Sequence, residues 1–203
     1  MNIFYLDHDP VIAAQMMCDK HIPKMIVEAG QMISTAHRML DGTEGRKLSK
    51  SGKRTVKYYS HPDETLENVL YKAVHFNHPS TVWTRESDKN YMWHYNHMLA
   101  LGEEFELRFG KKHKTIELLK DVLVNIPKNI RKTTTVTPIR LAMAAYPQCI
   151  VENDGVQSYR NFYIADKREF AKWEKGRNAP TWWTENVRDT YNTGSNQQTS
   201  FRG

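Results

Sequence analysis

Residues 87–110 read SDKNYMWHYNHMLALGEEFELRFG, and this stretch decides the architecture. Ser87 is a hydroxyl N-cap in front of Asp88. Tyr91, Tyr95, Met98, Leu99, Phe105 and Phe109 follow at helical spacing. Gly110 supplies the left-handed stop that ends many helices. The pattern predicts a long helix from Asp88 to Phe109.

Working outward, Asp9-Pro10 is a second helix start, with a carboxylate cap and proline at the first helical position, and it predicts a helix to about Lys20. Pro23 kinks that helix or opens another. From Met25 the apolar set Met25, Ile26, Ala29, Met32, Ile33, Ala36 and Leu40 is again helical, and Asp41-Gly42 ends it. Pro62 to about Phe76, Ser80 onward, Ile116 to Val124, and Asp154 to about Lys175 are further expected helices. Residues 2–6 form a short strand or extended arm. The region 127–153, with Pro127, Pro138 and Pro147, is irregular around a short helix at Leu141–Ala145. There is no internal repeat and no strand series. The expected fold class is therefore all-α: a single compact helical domain over 1–183 with a short N-terminal arm, a basic mobile loop at 42–60, and a disordered polar tail at 184–203.

The chain has 203 residues and is 39% hydrophobic, enough for one core. No run of apolar residues is long enough to span a membrane, and Met1 to Asp9 lacks a signal peptide's basic and apolar regions. Cys18 and Cys149 are read as reduced thiols, which points to a cytoplasmic setting. The net charge is +6. It gathers in Arg46, Lys47, Lys50, Lys53, Arg54 and Lys57, in Lys111, Lys112 and Lys114, and in Lys128, Arg131 and Lys132. Three such clusters favour contacts with phosphates.

Cys18, His21, Lys24, Glu28, Gln31, Thr35 and Arg38 recur every three or four residues and form one polar stripe on a helix. A solvated face is normally rich in Glu and Lys. Here a thiol, an imidazole, a carboxylate, two cations and a hydroxyl stand in line. The stripe is read as a pocket floor, with His21 or Glu28 moving a proton and Lys24 or Arg38 holding an anion. Asn77-His78-Pro79 with Trp83, Arg85, Tyr91 and Trp93 suits stacking on exposed bases. Pro180-Thr181-Trp182-Trp183 places one tryptophan, Trp182, as a ligand contact. Nine histidines are present. His94 with His97, or His75 with His78, beside Asp7, Asp9 or Glu104, would make a metal set. Such pairs are more often surface or interface histidines, and neither metal nor cofactor is expected. No phosphate-binding loop, dinucleotide fingerprint or nucleophile elbow occurs.

At these places the chain resembles a known family. The segment from Ala13-Ala14-Gln15 through Asp19-Lys20-His21-Ile22-Pro23-Lys24 to Gly42, the Asn77-His78-Pro79 turn, the helix ending Glu104-Phe105-Glu106-Leu107-Arg108-Phe109-Gly110, and Pro180 to Trp183 are similar to the phage pyrimidine-dimer DNA glycosylase (endonuclease V) family. Cys18 to His21 and Ser34 to Arg38 also look like segments of uncharacterised phage proteins of that type. The resemblance implies an endonuclease V-like helical fold and an N-terminal amine as nucleophile, so Met1 belongs with the pocket. It also implies that Lys20 and Lys24 take the DNA-phosphate role of the family's arginines. The chain departs from the pattern at His21, where the family has its catalytic glutamate, so His21 or Glu28 must replace that acid. Asn2 also follows Met1, a pairing that normally keeps the methionine.

The leading functional expectation is a DNA glycosylase/lyase or a related base-processing enzyme, which extrudes a nucleotide into a pocket. Its expected catalytic residues are Met1, His21 and Glu28. Lys20, Lys24, Arg38, Lys50, Lys53, Arg54, His78, Arg85 and Trp182 are expected to hold DNA. The competing expectations are a nucleic-acid-binding phage protein without catalysis and a small-nucleotide enzyme.

Overall fold

The computed structural model describes residues 1–186 and is organised around one long helix. Helix α5 (Asp88–Phe109) begins where the Ser87 hydroxyl accepts the Asn90 N–H and ends at left-handed Gly110, φ 67°. Both termini are those that the sequence predicts. Helices α1 (Pro10–Gln15) and α2 (His21–Leu40) lie across it, and α4 (Pro79–Glu86) packs on both α2 and α5. Helix α6 (Lys114–Leu123) closes the far side. It can do so because Gly30 of α2 and Gly102 of α5 have no side chain. A Cβ on either would lie 2.8 Å from Thr115 or Ile116 of α6, too close for real contacts.

The fold is not all-α. Two antiparallel strands, β1 (Thr43–Leu48) and β2 (Thr55–Ser60), occupy the stretch expected to be a mobile basic loop. Their register runs from Thr43 opposite Ser60 to Leu48 opposite Thr55. The β-branched and aromatic run Thr55-Val56-Lys57-Tyr58-Tyr59 favours strand, and cross-strand pairs hold it. Glu44 accepts from the Lys57 ammonium at 3.1 Å and the Tyr59 hydroxyl at 2.9 Å, and the Lys47 ammonium lies 4.8 Å from the Tyr58 ring centroid. A density of lysines hid this strand-forming run.

Other expectations are shortened. The first helix stops at Gln15 because the chain turns through 16–20 to meet Arg108. Helix α2 starts at His21, and Pro23 sits within its first turn, where its missing N–H has no partner to lose. Helix α3 is only Glu64–Val69, not a helix to Phe76. There α2 side chains take the backbone groups that a longer helix would pair internally. Arg38 donates to the carbonyls of Glu67, Leu70 and Tyr71, while Ser34 and Thr35 accept the N–H groups of Tyr71 and Val74. Helix α7 (Gly155–Lys167), capped by Asp154, ends short of Lys175. The region 127–153 is irregular, with a single 3₁₀ turn at Pro147–Cys149 in place of a helix at 141–145.

The N-terminal arm is no strand. Asn2 to Leu6 are buried, and Phe4 takes a left-handed backbone at φ 55°, held where the Asn2 side-chain carbonyl accepts the N–H groups of Ile3 and Phe4. Trp83, Tyr91, Tyr159 and Tyr163 are the largest fully buried side chains. No helix of the described residues is long and apolar enough to cross a membrane. Helical turns at 181–186 carry Trp183 into the core. Of the tail expected to be disordered, 187–203 lies outside the described residues.

Arg108 joins the early turn to the core with every donor it has. Nε and Nη2 bond Glu104, Nη2 also bonds the Gln15 carbonyl, and Nη1 bonds the Met17 carbonyl and Asp19. Removing one partner of a buried ionic group costs about 3–5 kcal/mol. Arg108→Met is therefore expected to lower the thermal midpoint by roughly 10 °C, given about 2–4 °C per kcal/mol in a domain of this size. A calorimetric shift under about 3 °C would show that the network is not holding the turn.

Candidate functional site

The polar stripe on α2 does not form one pocket floor. Its two ends are covered and only its middle is open. At one end Cys18 and His21 are buried. The His21 ring stacks on Phe4 with centroids 4.8 Å apart, and its Nδ1 lies 2.8 Å from the Tyr163 hydroxyl. At the other end Arg38 is buried, with Glu67 as its ion-pair partner and backbone carbonyls from Tyr59, Glu67, Leu70 and Tyr71 on its remaining N–H groups. That guanidinium is fully engaged inside the fold and has no donor left for substrate. Thr35 holds the backbone of Val74.

Between them, Lys24 and Glu28 stand one helical turn apart. The Lys24 ammonium, on a side chain 66% exposed, lies 3.6 Å from Glu28 Oε1. The N-terminal arm runs alongside. Its first peptide N–H, that of Asn2, donates to Glu28 Oε2 at 3.0 Å, and the Met1 α-amine lies 3.7 Å from the same oxygen. The Asn2 amide donates to the Ala142 carbonyl, and the Thr81 hydroxyl donates to Met1 Sδ at 3.7 Å. Amine and carboxylate are thus held from the arm, from α2 and from α4. The Met1 and Glu28 side chains are only 4% and 13% exposed.

His78 borders this cluster. Its Nδ1 accepts the Ser80 N–H and caps α4, which leaves Nε2 as the donor of the neutral ring. Burial lowers its pKa from the usual imidazole value. The α-amine and His75 lower it further, and Glu28 opposes them. Arg85 lies one turn after Thr81 on α4. One of its guanidinium nitrogens is buried without a partner. Burial pulls its pKa down, with Tyr59 opposing and Arg140 adding to the effect, so it is a cation short of an anion. Tyr59 belongs to β2, so the basic hairpin and the amine–carboxylate cluster flank the same stretch of α4.

The other expected DNA residues are dispersed. Lys50, Lys53 and Arg54 are exposed at the hairpin tip. The Lys20 ammonium sits 4.5 Å from the Phe170 ring centroid. Trp182 points its Nε1 at Met16 Sδ and lies beneath Arg160. The histidines weighed for a metal have other partners. His94 Nδ1 pairs with Thr84, His97 stacks on Trp93, and Glu104 is bound by Arg108 and Arg177. A cleft of about 750 Å³ is lined by Tyr5, His8, Thr137, Ile139 and Asp154 among others, and shares none of its lining with the Met1–Glu28 cluster. Within that cleft Asp154 is already engaged in capping α7.

The Asn2 N–H and Thr81 escaped sequence reasoning, since nothing in a one-dimensional pattern aims an arm at a helix. Comparison with protein-family models, with curated proteins and with solved structures finds no match for this chain.

Three buried histidines set an acid limit on the fold. Burial holds His21 and His97 down at about 3, and holds His94 well below the ordinary imidazole value of 6.5. The folded rings are neutral, so below pH 6.5 the unfolded chain binds the extra protons. Stability is full above that value and is lost as pH falls towards the folded values, by about 1.4 kcal/mol per pH unit for each ring. Thermal midpoints measured from pH 7.5 to 4.5 are expected to fall steadily below about pH 6.5. A flat profile between pH 7 and 5 would refute the neutral, buried assignment.

Proposed function

We propose that this chain is a DNA-acting enzyme of the glycosylase/lyase type, working in the cytoplasm, with the Met1 α-amine as nucleophile and Glu28 as the group that manages its proton. The observation that carries this reading is the meeting of the α-amine, the Glu28 carboxylate and the Lys24 ammonium at one partly open place. A chain whose first residue is Met1 presents there a primary amine, a proton acceptor 3.7 Å away and an exposed cation, which are the parts that imine chemistry at a sugar carbon needs. In the proposed step the deprotonated amine attacks C1′ of an extruded nucleotide. The bond from C1′ to the base breaks, and the departing base takes a proton. Glu28 or the Nε2–H of His78 supplies it. The proton lost by the attacking amine passes to Glu28, the C1′–O4′ bond opens with a proton going to O4′, and the imine so formed is hydrolysed, or loses its 3′ phosphate once a C2′ proton is removed.

The basic hairpin supports a polyanionic partner, and Arg85 supplies an unneutralised cation between hairpin and cluster. The resemblance to endonuclease V-like proteins points the same way, although the acid here is Glu28, one helical turn after Lys24, and not the residue at position 21. A reading as a DNA-binding protein without catalysis draws on one observation. The amine and carboxylate already satisfy each other, and Met1 is nearly closed off from solvent.

Trapping separates the two. Borohydride added to the protein with DNA containing an abasic or damaged nucleotide is expected to yield a covalent adduct whose mass maps to residue 1. Glu28→Gln is expected to abolish turnover with DNA affinity and thermal midpoint nearly unchanged. An unmutated protein that binds DNA and gives no adduct on any such substrate leaves the binding reading alone standing. Affinity itself is expected to fall steeply with salt. Neutralising Lys50, Lys53 and Arg54 should flatten the slope of log K against log salt by roughly 0.9 for each duplex phosphate contact removed. An unchanged slope would place the DNA elsewhere on the surface.

A further inference from the structure

The two ends of the basic hairpin meet at three side chains that the proposed chemistry does not use. His37 lies in the last turn of α2, Asp41 caps that helix just before β1, and His61 follows directly on β2. One metal-ligand-type atom from each lies within 4.8 Å of the other two. His37 and His61 are 2% and 9% exposed. Each has one ring nitrogen buried with no hydrogen-bond partner, Nδ1 of His37 and Nε2 of His61. A buried imidazole nitrogen without a partner is unfavourable, and two that belong to one cluster with a carboxylate call for a shared occupant.

The surroundings orient all three residues. His37 Nε2 lies 2.7 Å from the Tyr91 hydroxyl, whose single proton goes to the Leu123 carbonyl at 2.8 Å. With the Tyr91 proton on that carbonyl, Nε2 is the donor and Nδ1 carries the lone pair. The Asp41 carboxylate is fixed by the N–H groups of Lys128 and Asn129 and by the Asn129 amide; Oδ1 takes two of these bonds and Oδ2 one, which leaves a lone pair on Oδ2. The main-chain N–H of His61 donates to Glu67, which pairs in turn with Arg38. His37, whose far ring nitrogen meets the Tyr91 hydroxyl, has the support that metal-bound imidazoles carry.

We propose that His37, Asp41 and His61 bind one divalent transition-metal ion of the zinc and cobalt class, joining the base of the hairpin to the end of α2. Two imidazoles and a carboxylate suit these ions and not magnesium or calcium, which prefer oxygen ligands throughout. Three protein ligands leave a coordination position for water. His37 already has the ligating tautomer. His61 Nδ1 accepts the Asp63 N–H at 3.1 Å, so the neutral ring carries its proton on Nε2. Ligation through Nε2 moves that proton to Nδ1 by exchange with solvent, with no net release. The Asp63 N–H, on an exposed residue, turns to water instead.

The test uses the full chain, stripped with a chelator and titrated with Zn²⁺ and with Co²⁺ by calorimetry, with visible absorption followed for Co²⁺. One ion per chain is expected, with a thermal midpoint that rises on binding. His61→Ala and Asp41→Asn should each weaken affinity at least about tenfold, the scale of losing a ligand or its orientation. His8→Ala, which removes an exposed histidine outside the cluster, should bind as the unmutated chain does. In the unmutated chain the ring resonances of His37 and His61 should shift at saturation, a readout that needs no variant to fold. Absence of stoichiometric binding of either ion overturns the proposal. So does unchanged affinity in a folded His61→Ala chain, or ring resonances of both histidines that stay in place at saturation.

Discussion

A buried guanidinium has five N–H groups and cannot shed its charge, so it must be surrounded by acceptors or it will not stay buried. Arg108 meets this constraint with Glu104, Asp19 and the carbonyls of Gln15 and Met17. The acceptors come from two parts of the chain, 15–19 and α5, and the network extends further. Asp19 also accepts the Glu174 N–H, and Glu104 also receives Arg177. One side chain therefore fixes the turn that ends α1, the start of α2 and the segment after α7. The entry angle of α2 follows from that turn. The position of Glu28 relative to the N-terminal arm follows from the entry angle. Arg38 repeats the device at the other end of α2, where it gathers the exit of β2 and the segment after α3.

Much of this was legible in the residues, and the failures have physical causes. The caps of α5, α7 and α1 were readable because Ser87, Asp154 and Asp9 sit where a side-chain oxygen reaches the first free N–H groups. The pairing of Lys24 with Glu28 was readable from its spacing. The hairpin was not, because exposed strands need no apolar alternation and its lysines resembled a solvated loop. Nor was the fate of Arg38. A stripe records which residues share a face and says nothing of what lies on that face. Where an anionic substrate was expected, the segment after α3 and the exit of β2 cover Arg38. The spacing of His37 and Asp41 was visible as one helical turn, but His61 joins them only because β1 and β2 pair and bring the chain back.

The amine–carboxylate cluster and the histidine cluster lie on the same helix, separated by Thr35 and its hold on Val74. Both are assembled between an element fixed by helical geometry and an element that arrives from elsewhere: the N-terminal arm in one case, the return of the hairpin in the other. In each, α2 contributes residues a single turn apart, Lys24 with Glu28 and His37 with Asp41, so their relative placement is set by the backbone. The incoming partner is the variable part. Asn2 is tied to Ala142 and Glu28, and His61 is tied to Glu67.

The segment from Glu67 to Val74 is held by the side chains of Glu67, Leu70 and Tyr71 and, throughout, by its main chain. Ser34, Thr35 and Arg38 reach its N–H and carbonyl groups. Such a grip is indifferent to side chains. Mutational drift is therefore free to rewrite Lys72, Ala73 and Val74 with little effect on how the segment lies, whereas Ser34, Thr35 and Arg38 cannot change without releasing it. This part of the molecule has two rates of change built into it. The end of the irregular stretch, 72–74, is free to vary, and the regular helix beside it carries the memory of its path.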